Sequence, residues 1–167
     1  MHCDNSSLAH LSVDVLTTRI GQLLSREREA MLEFLLHLAE LDRRRHYLEL
    51  GYSSTFAYCS EGLRLSKASS YRRSTAVALL RKFPVIGSFL SSGRLSLTSL
   101  CHLRHVLDEE THLALLERAS GLNEDAVEHL AASLNARAAG KDSLRKVPAP
   151  HSAPAPVLPP VAEAAQP

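Results

Sequence analysis

The sequence predicts an all-α fold: a multi-helix domain of about seven helices, opened by a long N-terminal helix and followed by a disordered Pro/Ala-rich C-terminal tail. Three observations predict it. Apolar residues recur at steps of three, four and seven, the period of a helix with one buried face. Ser, Asp and Asn stand just before these runs, where their side chains can accept the free N–H groups of a helix start. Trp is absent and aromatic residues make up only 5%, while Leu, Ala and Arg abound, which favours helix over sheet.

The elements follow in order. Residues 1–12 are polar and read as a flexible N-terminus. From Val13 to His46 the residues Leu16, Ile20, Leu23, Leu24, Met31, Leu35, Leu38 and Leu41 form one amphipathic stripe. Ser12 is its N-cap, Gly21 is a place for a bend, and Arg43 to Arg45 complement the dipole of the last turn. At ~1.5 Å per residue such a helix is roughly 50 Å long, so part of its stripe is expected to face a second chain. Gly51 ends it. Ser53 or Ser54 caps a helix ending near Leu63, and Ser66 caps another running to about Arg81. Pro84 opens the next and Gly93 closes it. Ser96 caps a helix reaching Val106, Asp108 one through Ala119, and Asn123 a last one to about Ala138. The helical domain thus covers residues 13–139. From Gly140 on, seven of the eight prolines mark residues 140–167 as a linker or tail.

Composition excludes several classes. Apolar residues are 45% and charged residues 22%, close to globular averages. No run approaches the ~18 to 20 apolar residues of a membrane span, and Met1 to Ser12 has no signal-peptide pattern, so a cytoplasmic protein without a membrane partner is expected. Cys3, Cys59 and Cys101 are far apart and read as reduced thiols. Cys101, His102 and His105 share a helical face, but no further ligands complete a metal set, and a His pair on the surface or between helices is the better reading. No nucleophile, base and orienter stand together, so neither catalysis nor a cofactor is expected.

The net charge of +1 conceals a strong asymmetry. Residues 1–61 hold 6 basic and 9 acidic groups, and residues 108–138 hold 2 and 7. Between them, residues 62–107 hold eight basic groups, Arg64, Lys67, Arg72, Arg73, Arg81, Lys82, Arg94 and Arg104, and no acid. Thr55 to Thr75 reads as helix, tight turn at Arg64 and Leu65, and second helix. In a helix-turn-helix the second helix enters the DNA major groove. Lys67, Ser69, Ser70, Arg72 and Arg73 are the side chains expected to reach, because Arg and Lys contact phosphates and guanine edges alike. Arg43 and Arg44 would add phosphate contacts. A plain helical hairpin with a solvated basic face is the competing reading; many such turns carry Gly where Arg64 stands. Tyr47, Tyr52, Phe56, Tyr58 and Tyr71 are expected to build the hairpin core.

Leu50-Gly51-Tyr52-Ser53-Ser54, Tyr58-Cys59, Leu65-Ser66, Tyr71-Arg72-Arg73, Phe83-Pro84 and Gly93-Arg94-Leu95-Ser96 give the stretch from about Leu8 to Ala139 its character. This stretch resembles the N-terminal helical domain of bacterial HNH endonuclease-type proteins. The resemblance implies a helical region followed by a Pro/Ala linker and then a metal-dependent nuclease domain. The nuclease signature, a His-His pair with a downstream Asn and His, has no counterpart before Pro167. The expectation is a non-catalytic module that binds or positions double-stranded DNA. The alternative is a protein-interaction or homodimerisation module built on the long first helix.

Overall fold

The computed structural model describes residues 8–142. These residues form eight α-helices, and no strand occurs among them. They are α1 (Val13–Arg44), α2 (His46–Glu49), α3 (Thr55–Ala57), α4 (Lys67–Lys82), α5 (Ile86–Ser91), α6 (Leu97–Leu103), α7 (His112–Ala119) and α8 (Glu124–Asp142). A π-helical turn, Tyr58–Gly62, prolongs α3. The expected tail lies outside the described residues from residue 143 on, and α8 continues to Asp142, past the expected end at Ala138.

The capping residues act largely as expected. The hydroxyls of Ser12, Ser54, Ser66 and Ser96 each accept the N–H three residues on, and the Asn123 side chain accepts that of Ala126 at 2.8 Å. The first helix runs unbroken through Gly21 and stops before Gly51, at Arg45, which takes a left-handed φ of 56°. Asp108 caps a turn, accepting from Glu110 and Thr111, and α7 begins only at His112.

The second half of α1 packs against α4 and α5, α4 against α6, and α6 against α8. Leu35 and Leu38 of α1 meet Val77 and Leu80 of α4, Phe89 of α5 and Leu100 of α6 in one core. Each such side chain contributes about 1.5–3 kcal/mol through removal from water. Asp42 clasps three elements: it accepts from Thr55 of α3 at 2.5 Å and from Arg81 of α4 at 2.5 Å.

Two features depart from a uniform helical bundle. The chain from Val13 to Leu24 runs about 16 Å before the domain body meets it, leaving Val13 74%, Ile20 62% and Leu23 51% exposed. At the hairpin, the π-turn closes as Leu63 donates to the Tyr58 carbonyl at 2.9 Å, and Leu65 donates to that of Cys59 at 3.0 Å. Cys59 is thereby sealed at 0% exposure, and burial pushes its thiol above the ordinary range against a smaller pull from Arg73. Gly62 is required by a close approach, since a Cβ there would come within 2.9 Å of the Tyr52 ring.

Candidate nucleic-acid interface

The hairpin exists, and its second helix is α4. The turn before it holds Arg64 at φ 55°, the left-handed conformation that glycine takes without strain. Ser66 then caps α4, and Lys67 stands exposed in its first turn, where the helix dipole already favours anions.

Periodicity decides which side chains face out. Ser70, Ala76, Val77 and Leu80 define the buried face of α4, and Ser70 is 0% exposed, its hydroxyl donating to the Ser66 carbonyl at 3.0 Å. Ser70 therefore cannot reach DNA, contrary to the sequence expectation. Arg73 falls on the same face, three residues after Ser70 and three before Ala76. It donates to the Ser69 hydroxyl, and its guanidinium sits 5.8 Å from the Phe34 ring of α1. Arg73 is thus half-buried against α1, and Ser69 serves as its acceptor; neither is aimed outward. Arg43 and Arg44 are also occupied: both donate to the Glu40 carboxylate, at 2.6 and 2.5 Å.

Lys67 and Tyr71 lie one turn apart on the opposite, outward face, and Arg72 is half-buried on the flank toward α6. Burial raises the Cys101 thiol of α6, and the Thr75 hydroxyl and Arg72 pull it the other way. Beyond Cys101, Arg104 lies over the Tyr71 ring at 5.2 Å and donates to His105 at 2.6 Å. The start of α4 and the end of α6 therefore share one surface bearing Lys67, Tyr71, Arg72 and Arg104, with Arg64 on the preceding turn.

Chain and family comparisons add no relative. No family model, curated protein or solved structure matches the chain. What the surface can do follows from its own residues.

Of the eight basic groups between residues 62 and 107, Arg81 is bound to Asp42 and Arg94 to Glu117 at 3.0 Å. Among the described residues, Arg64, Lys67, Arg72 and Arg104 have no carboxylate within ion-pair reach. Arg104 and Tyr71 were not singled out as contacts by the hairpin motif. Arg104 belongs to the acid-free span, but only the packing of α6 on α4 brings it beside the hairpin. The aromatic expectation is also revised: Phe56 and Tyr71 are 36% and 39% exposed, whereas Tyr58 packs on the core and meets Tyr52 edge-on at 5.4 Å. Among the described residues no three of His, Cys, Asp and Glu gather as metal ligands, and no helix is long and apolar enough to cross a membrane.

Proposed function

We propose that this chain is a non-catalytic helical module that binds double-stranded DNA through the surface shared by the start of α4 and the end of α6. The observation that carries this reading is the grouping of four cations, Arg64, Lys67, Arg72 and Arg104, with no carboxylate partner among the described residues, while Arg43, Arg44, Arg81 and Arg94 are spent on Glu40, Asp42 and Glu117. Cations left free of acids are available to replace the counterions of phosphates, which supplies most of non-specific affinity. Tyr71, held under Arg104, gives the surface a flat rim suited to a sugar-phosphate edge. The resemblance to the N-terminal helical region of HNH endonuclease-type proteins supports the same reading.

A salt titration of binding to duplex DNA tests it. Neutralising three phosphates gives a log–log slope of about −2.7, from ~0.9 per contact. Substituting Arg72→Ala together with Arg104→Ala is expected to flatten that slope by about two units. The pair Arg43→Ala and Arg44→Ala is expected to leave it unchanged, because those guanidinium groups stay with Glu40. A slope that responds to Arg43 and Arg44 but not to Arg72 and Arg104 would move the interface elsewhere and end this proposal.

A further inference from the structure

The first half of α1 carries an apolar face with nothing among the described residues packed against it. Val13, Leu16, Ile20 and Leu23 follow one another at steps of three and four, the seam of a coiled coil. The same seam continues into the domain as Glu27, Ala30 and Phe34. There it forms one wall of a groove of about 440 Å³, whose other wall is Leu63, Leu65 and Arg73 of the hairpin. One end of α1 thus carries protruding apolar side chains, and the other carries an apolar groove in line with them.

We propose that two copies of this chain associate through α1 in antiparallel fashion, the protruding half of each helix filling the groove of the other. A two-fold axis beside Ser25 sets Leu16 of one copy opposite Phe34 of the other, Ile20 opposite Ala30, and Leu23 opposite Glu27. Each layer then pairs the two alternating seam positions, as antiparallel packing requires. Groove filling and charge together select this register. Arg19 is exposed and contacts only Gln22 at 3.3 Å, and Glu33 is exposed without a cation in ion-pair reach among the described residues. The register places Arg19 of each copy beside Glu33 of the other, twice by symmetry. Sliding one heptad one way would oppose Arg19 to Arg26 and set only Val13 and Leu16 against the groove, whereas sliding the other way would set Glu27 against Ala30 and Ile20 against His37, leaving Leu23 as the one large apolar side chain in the groove. The cost of the chosen register is Arg26 facing its own counterpart at the axis, where Glu27 and Glu29 flank it. The association is independent of DNA binding, since Arg64, Lys67, Arg72 and Arg104 take no part in it.

Sedimentation equilibrium of the full chain without DNA, over about 1–200 μM, is the test, a range that captures micromolar association. The expected result is a reversible dimer. Ile20→Glu and Leu23→Glu, both at exposed positions, are expected to weaken it about thirtyfold or more with circular dichroism unchanged. Leu35 is fully buried in the domain core, so a charge there would report on folding instead. Arg19→Glu and Glu33→Arg alone are each expected to weaken the dimer about tenfold, and together to restore it to within about threefold. Monomer mass throughout the range overturns the proposal. So does a dimer for which the double charge swap is no better than either single change.

Discussion

At the scale of single residues, the Glu40 carboxylate shows how local pairing removes side chains from a functional role. Hydrogen bonds from Arg43 and then Arg44 hold its pKa at about 2, against an ordinary 4.5. Because the folded value is the lower one, the contact adds stability above pH 4.5 and loses it as pH falls toward 2. Carboxylate NMR is expected to show Glu40 titrating near 2, and Arg43→Ala with Arg44→Ala to return it toward the ordinary value; a Glu40 midpoint near 4.5 in the parent chain would mean that the two arginines are free. The arginine run was plain in the sequence, and so was Glu40 one turn before it. What composition could not convey is that all three side chains converge on one surface patch. Ser70 and Arg73 were misjudged for a related reason. A Ser in the first turn and an Arg both suggest solvent, but their positions relative to Ala76 and Val77 place them inward, and the apolar ring of Phe34 accommodates the guanidinium. The departure from Gly at residue 64 was legible, and the structure gives it meaning: a left-handed Arg costs about 1–2 kcal/mol, held in place by the backbone bonds of Leu63 and Leu65 on either side.

At the scale of elements, helix starts were read more surely than helix ends, because a capping hydroxyl is a local signal and an end depends on what the helix packs against. Ser54, Ser66, Ser96 and Asn123 all cap as the spacing predicted. The π-turn at Tyr58–Gly62 has no local signature in the sequence; it occurs where the rings of Tyr52 and Tyr58 close on Gly62. The length of α1 was legible, but the helix goes straight through Gly21, around which a Cβ would meet nothing within 4 Å. Replacing a mid-helix Gly by Ala lowers the helical free energy by about 0.5–1 kcal/mol. Because Gly21 lies in the part of α1 outside the core, the gain belongs to that segment alone. Gly21→Ala is therefore expected to slow amide exchange between Val13 and Leu24 by about two- to fivefold at low protein concentration, leaving global urea unfolding unmoved. A matching rise in the global midpoint would show that the first half of α1 unfolds together with the core.

At the scale of the whole molecule, the segregation of charge along the chain becomes a segregation in space only in part. The acid-free span contributes free cations at the start of α4 and the end of α6, yet it lends Arg81 to Asp42 and Arg94 to Glu117, tying itself to the acidic segments before and after it. Those two links join residues 39 and 23 positions apart, a distance at which periodicity carries no information. The all-α class was legible from local pattern, and the adjacency of α4 and α6 was not.

The sealed thiol of Cys59 gives this molecule a built-in clock. A group at 0% exposure whose thiolate is disfavoured by burial can react with a disulfide reagent only while the core is open. In a chain carrying Cys3→Ser and Cys101→Ser, labelling of Cys59 is expected to be at least ~10³-fold slower than in urea, following the unfolding equilibrium. Phe89→Ala, which empties the largest fully buried side chain at a cost of about 3–5 kcal/mol, is expected to speed labelling by about 10²- to 10⁴-fold. Prompt labelling of the native chain would mean that the hairpin opens by itself. In that case the cationic surface on its outer side would be presented by a segment that breathes, and the rate at which Cys59 is captured would measure how often.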